Sequence, residues 1–87
     1  MKHPYTLEVC VDSVESALAA ARAGADRLEL CGNLIIGGTT PSIELFRCIR
    51  EQSDIRVHVL IRPRFGDFLY TEDEYQIMKR EIADFVE

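Results

Sequence analysis

The sequence predicts an α/β fold built as the opening of a βα barrel, and three observations carry that prediction. Three short strand candidates alternate with helix-length segments, in the order strand, helix, strand, helix, strand, helix. The strands are Leu7-Glu8-Val9-Cys10-Val11, Arg27-Leu28-Glu29-Leu30-Cys31 and Arg56-Val57-His58-Val59-Leu60-Ile61-Arg62. Strands joined by helices pair in parallel and normally read as continuous apolar runs, because both faces are buried. Here the alternate positions, Leu60 apart, carry charged, thiol or imidazole groups, among them Glu8, Cys10, Arg27, Glu29, Cys31, His58 and Arg62. A doubly wound sheet, with helices on both faces, demands two apolar faces. A barrel demands one, and its other wall can line a polar interior. Burying such groups is costly unless they pair or bind something, so the polar wall also marks a candidate site.

Each element has its own signals. Strand one covers about Thr6–Val11. Asp12 is placed to cap the following helix, with Glu15 three residues on, as in a capping box. Val14, Leu18 and Ala21 share one side of that helix, which stops at Gly24. Strand two covers about Asp26–Cys31, and a glycine-bearing loop follows to Thr39. Thr40 before Pro41 reads as an N-cap with proline at the first helical position, opening a helix to about Gln52 that buries Leu45, Cys48 and Ile49. Strand three covers about Arg56–Arg62. After a second loop, Thr71 and Glu74 form another capping box, and Tyr75, Met78, Ile82 and Phe85 line one face of the last helix.

Composition narrows the class. The chain has 87 residues, 47% of them hydrophobic, which suits one small globular domain and excludes a disordered tail. Three βα units cannot close a barrel, which takes eight, so residues 1–87 read as a single partial domain supplying the first three units of a TIM (β/α)8-barrel. The net charge of −5, with no basic run, argues against non-specific nucleic-acid binding. No apolar stretch approaches the roughly 20 residues a membrane span needs. Met1-Lys2-His3-Pro4-Tyr5 lacks a signal-peptide core, so the expectation is a cytoplasmic protein. His3 reads as a disordered terminal residue. Three cysteines in that compartment suggest thiols, a metal site or a reactive group rather than a disulfide.

In a βα barrel, sites lie at the C-terminal ends of the strands. Cys10, Cys31 and Arg62 fall there, with Glu8, Glu29 and His58 about two residues deeper. Neighbouring strands are about 4.8 Å apart, so two thiolates from adjacent strands come within reach of one soft ion, Cu(I) above all, with zinc open if further ligands join. On spacing alone they read more readily as reduced, half-buried cysteines at strand ends. Glu8, Glu29 and Arg27 suit either proton transfer and substrate orientation or a structural ion-pair network. Arg62 and Arg64 present planar forks suited to an anion, with His58 below as acid or base; alternatively Arg62 pairs with Glu29 or Glu8 and Arg64 is solvated. Gly37-Gly38-Thr39-Thr40 precedes a helix but lacks the lysine ending of a P-loop. Cys48 reads as core packing.

Taken together, several stretches resemble the copper homeostasis protein CutC family. They are Leu7-Glu8-Val9-Cys10, Gly24-Ala25-Asp26-Arg27-Leu28-Glu29-Leu30-Cys31, Gly37-Gly38-Thr39-Thr40-Pro41-Ser42, and Val57-His58-Val59-Leu60-Ile61-Arg62-Pro63-Arg64 followed by Gly66-Asp67-Phe68 and Tyr70. The match runs in order along nearly the whole chain. The resemblance implies a cytoplasmic TIM-barrel protein of copper homeostasis that binds Cu(I), with Cys10 and Cys31 as the matching metal ligands. It implies no specific catalytic activity. Two positions depart from the family pattern: Thr39, where leucine is usual, and Phe65, where glycine is usual. The second bears on Arg64, whose loop it occupies. The expectations are thus Cu(I) binding through Cys10 and Cys31. The alternative is an enzyme of unassigned substrate, with an anion site at Arg27, Arg62 and Arg64 and proton transfer by Glu8, Glu29 or His58. The partner is then a metal ion or a small anionic molecule. An isolated three-strand sheet exposes its edges, so a homo-oligomer is expected as well.

Overall fold

A computed structural model of the chain describes residues 4–86, so His3 lies outside it. Three parallel strands form one sheet in the order β1-β2-β3: β1 (Glu8–Val11), β2 (Arg27–Leu30) and β3 (Arg56–Val59). Three helices alternate with them: α1 (Val14–Ala23), α2 (Ile43–Arg50) and α3 (Glu72–Val86), and a short 3-10 turn at Leu34–Ile36 interrupts the loop after β2. The strands are shorter than their sequence signatures. Cys31 and Arg62 continue the line of β2 and β3 but lie beyond the regular pairing.

The register places Glu8, Arg27 and Arg56 in one row and Cys10, Glu29 and His58 in the next. The alternate residues face the helices. Val11, Leu28 and Leu30 form the core with Ala17 of α1 and Ile49 of α2, and Val9, Val57, Leu45 and Phe46 pack around them. Phe85 of α3 reaches the same side and meets Phe46 edge-on at 5.7 Å between ring centroids. All three helices therefore lie on one face of the sheet, which favours the barrel wall over the doubly wound alternative. Between β3 and α3 a cavity of about 320 Å³ remains, lined by Val57, Val59, Ile61, Ile82, Phe85 and Val86.

Helix ends show where local signals prevailed. Gly24 ends α1 in the left-handed conformation at φ 105°. Thr71 and Glu74 form the expected reciprocal box: Glu74 accepts from the Thr71 N–H at 2.8 Å, and Thr71 Oγ1 accepts from the Glu74 N–H at 3.1 Å. Two caps differ from expectation. Ser13, not Asp12, caps α1 by accepting from the Ser16 N–H. Ser42, not Thr40, caps α2 by accepting from the Leu45 N–H, so that helix begins at Ile43 rather than Pro41. The displaced candidates have tertiary partners instead. Asp12 accepts from the Leu34 N–H at 3.3 Å, and Thr40 Oγ1 accepts from the Arg62 N–H at 2.7 Å. Leu45 and Cys48 are half-buried; Ile49 is the buried residue of α2.

Candidate functional site

The polar face of the sheet carries two groups of side chains. In the lower one, Glu8 accepts from Arg27 Nε at 2.7 Å, and its same oxygen lies 3.6 Å from His58 Nδ1. All three strands thus contribute to one partly buried carboxylate–guanidinium–imidazole cluster. In the upper one, the Cys10 thiol donates to Glu29 Oε1 at 3.5 Å. Cys10 is exposed and is the neighbour of Glu29 in the register, while Cys31 follows β2 on the same face.

Cys31 is buried, at 1% exposure, and its thiol points to Val11 O at 3.6 Å. The two cysteines are diagonal neighbours on adjacent strands, separated by about 4.8 Å across the sheet and about 6.6 Å along it. They feel one another electrostatically. Burial pushes the Cys31 thiol above its ordinary value of 9.0, and Cys10, Glu29 and Asp12 push in the same direction. Cys10 is raised too, first by burial, then by its hydrogen bond to Glu29 and by the charges of Glu29 and Glu8. Both thiols are accordingly held as S–H at neutral pH.

This donor set fits a soft ion. Cys10 and Cys31 would supply two thiolate donors, the ligand type that suits a soft ion such as Cu(I). Among the described residues there is no group of three or more His, Cys, Asp or Glu positioned around one ion, so the closed four-ligand set of structural zinc is not assembled there.

The arginines after β3 have different surroundings. Arg64 has a partner for each of its five N–H donors: Nε donates to Glu74 at 2.5 Å, Nη1 to the carbonyls of Phe65 and Asp67, and Nη2 to the Asp67 carboxylate and the Leu69 carbonyl. It also lies 5.3 Å from the Tyr70 ring centroid. The Glu74 hydrogen bond, above the other contacts, holds its guanidinium still more firmly protonated. Arg62 donates to Gly38 O at 3.1 Å and Gly66 O at 2.9 Å, and it lies 5.2 Å from the Phe68 ring centroid. Its Nε is buried with no hydrogen-bond partner among the described residues. Both forks are thus engaged with the loops after β2 and β3, and an incoming anion would have to displace those contacts. Arg27 is turned to Glu8. Of the sequence candidates, the structure brings Glu8, Arg27 and His58 into one cluster and Cys10 and Glu29 into another. It stations Arg62 and Arg64 in the loops.

Sequence reasoning did not foresee the loop-binding role of the arginines. One signal for it exists, the glycine pair Gly37-Gly38. Both residues have positive φ, and a Cβ at Gly37 would stand 3.3 Å from Arg62 Nη1.

A parallel three-strand sheet with its helices on one face defines an α/β protein, and the arrangement is consistent with part of a barrel wall. The CutC family model matches residues 5–87. The human copper homeostasis protein cutC homolog is 54% identical over 78 residues, covering 90% of this chain and 29% of the human protein. A family protein CutC from Mesorhizobium japonicum is 48% identical over 77 residues, covering 88% of this chain and 30% of that protein. A crystal structure from Streptococcus agalactiae, described as a candidate copper homeostasis protein CutC, superposes with a TM-score of 0.82 at 35% identity, covering 94% of this chain and 41% of that one. The chain belongs to the CutC family. It spans about three tenths of the length of the curated relatives it matches. No helix among the described residues is long and apolar enough to cross a membrane.

Proposed function

We propose that this chain takes part in cytoplasmic copper homeostasis by binding Cu(I) through Cys10 and Cys31. What supports the reading is that Cys10 lies near the end of β1 and Cys31 directly follows the paired strand β2, toward the strand ends where βα barrels keep their sites. Soft sulfur donors select Cu(I), and the names of the relatives point to the same metal. Binding replaces two thiol protons, and Glu29, which already accepts from Cys10, is placed to receive one of them. Titration of Cu(I) against a chromogenic chelator tests the reading. One tightly held Cu(I) per chain is expected, with loss of that binding when both cysteines become serine. Unchanged affinity in the double variant contradicts it.

A second reading is favoured by the Glu8 cluster. A carboxylate 3.6 Å from an exposed imidazole is an arrangement that orients His58 for proton transfer, and Arg27 holds that carboxylate in place. On this reading the same face belongs to an enzyme acting on a small anionic molecule. A metabolite that co-purifies with the chain and is lost on His58→Ala would favour it over copper.

We propose further that the chain self-associates, or is completed by other chains, along the open edges of its sheet. The apolar cavity between β3 and α3 and the unpaired edge of β3 support an occupant with an apolar strand and helix.

A further inference from the structure

Of the three thiols, Cys31 alone is closed off; Cys10 is exposed and Cys48 half-buried. Its cover is the loop after β2. Gly32 and Thr39 exchange backbone hydrogen bonds at 2.8 and 2.7 Å, which folds the loop back on itself as a strap. Asn33, at φ 50°, supports the bend through its carbonyl, which accepts from the Gly38 N–H at 3.1 Å, and through Nδ2, which donates to Thr39 Oγ1 at 3.0 Å. Gly38 is buried at the inner side of the strap, with φ +91°. A Cβ there would stand 3.3 Å from Cys31 Cβ, 3.6 Å from Cys31 Sγ and 2.9 Å from Leu60 Cδ2, so the backbone of Gly38 is the surface that closes over the thiol.

Arg62 holds that backbone down. Its Nη1 donates to Gly38 O at 3.1 Å, and Nη2 donates to Gly66 O at 2.9 Å. The arginine is itself anchored: its N–H donates to Thr40 Oγ1 at 2.7 Å, and its carbonyl accepts from the Thr40 N–H at 2.9 Å. The outer side of the strap is held by the Leu34 N–H donating to Asp12 at 3.3 Å rather than by apolar packing, since Ile35 is 96% exposed and Leu34 and Ile36 are exposed too. A planar fork is suited to this task because its two terminal nitrogens reach carbonyls on different loops at once, whereas a lysine gathers its three donors on one nitrogen.

We infer that Arg62 is a positioning residue that clamps the Gly38 strap over Cys31 and so sets access to the buried thiol. Any reagent or ion that reaches the Cys31 sulfur has to lift Gly38 away from it, and lifting Gly38 breaks the Arg62 contact. The clamp deepens the copper reading, because it makes Cys31 the gated member of the proposed ligand pair. It rests on that reading only for this consequence.

Alkylation of the metal-free chain by N-ethylmaleimide, followed peptide by peptide, tests the clamp without copper. In the wild type Cys10 is expected to react first and Cys31 slowly. Arg62→Gln is expected to speed Cys31 by about tenfold, the scale of one lost charge-assisted hydrogen bond, while Cys10 and Cys48 keep their wild-type rates. Arg62→Lys, which keeps the charge but places its donors on a single nitrogen, is expected to fall between. The three thiols report on the fold as well as on the strap, because general unfolding accelerates all of them. An unchanged Cys31 rate in Arg62→Gln overturns the inference, and so does equal acceleration of all three thiols in both variants. If Cys31 responds selectively while the wild type binds no Cu(I), the clamp stands and the copper reading falls. If Cu(I) binds through both cysteines while Cys31 ignores Arg62, the reverse holds.

Discussion

Glu29 stands beside Cys10 in the β1–β2 register and accepts a hydrogen bond from its thiol at 3.5 Å, so the exposed thiol of this face is paired with a carboxylate rather than with the other cysteine. The pairing has a chemical consequence. Glu29 raises the Cys10 thiol through its hydrogen bond and its charge, adding to the effect of burial, and this favours the S–H form. In the wild type, the rate of Cys10 alkylation should therefore climb with pH through a midpoint above 9.0. Glu29→Gln removes the charge and should bring that midpoint down toward 9.0, so that Cys10 reacts faster at pH 8. Coincident pH–rate curves for the two proteins would remove Glu29 from this role.

The loop after β3 should loosen in acid. Glu74 is held below its ordinary value of 4.5, first by the Thr71 N–H and then by Arg64; Asp67 is held below 3.8, first by the Leu69 N–H and then by Arg64. A carboxyl group whose folded value is lowered contributes stability above its unfolded value and loses it as pH falls through the folded one. Order in residues 63–70 is therefore expected to be complete above about pH 5 and to fade as pH drops below 4.5 and then 3.8. Cleavage of this loop by pepsin, compared between wild type and Arg64→Ala across that range, reads it out. The variant should be cut readily even at the upper end. Equal resistance of the two proteins there would contradict the account.

The helix caps were only partly legible in the sequence, and the reason is physical. At Thr71–Glu74 the two side chains satisfy each other's backbone N–H groups, so nothing distant competes. Asp12 and Thr40 are equally good capping residues by type, but each bonds to a residue 22 positions away, leaving Ser13 and Ser42 to cap. The alternation of Glu8 and Cys10, and of Arg27 and Glu29, was fully readable because strand periodicity fixes the face. The partners of Arg62 and Arg64 were not, because they are backbone carbonyls, whose positions no residue type announces.

Ser42→Ala should consequently destabilise the chain by about 1 kcal/mol, the usual cost of an N-cap, seen as a lower urea midpoint. Thr40→Ala should leave the helix start intact and act on the Arg62 strand end instead. Equal loss of α2 protection in hydrogen exchange for both variants would argue that Thr40 caps after all.

The unpaired edge of β3 and the apolar cavity beside α3 predict association between copies of this chain. Light scattering should give a mass above 9.9 kDa that falls on dilution. Val59→Lys, which places a charge in the cavity, should shift the population to the monomer. A stable monomer at all concentrations would contradict the proposed self-association.

The pairing of Cys10 and Cys31 around one copper ion is tested most directly by X-ray absorption at the copper edge on the Cu(I)-loaded chain. The account predicts two sulfur scatterers at equal short distance in the wild type and at most one after either Cys10→Ser or Cys31→Ser. A wild-type spectrum dominated by nitrogen or oxygen, or one unaltered by both substitutions, would contradict it.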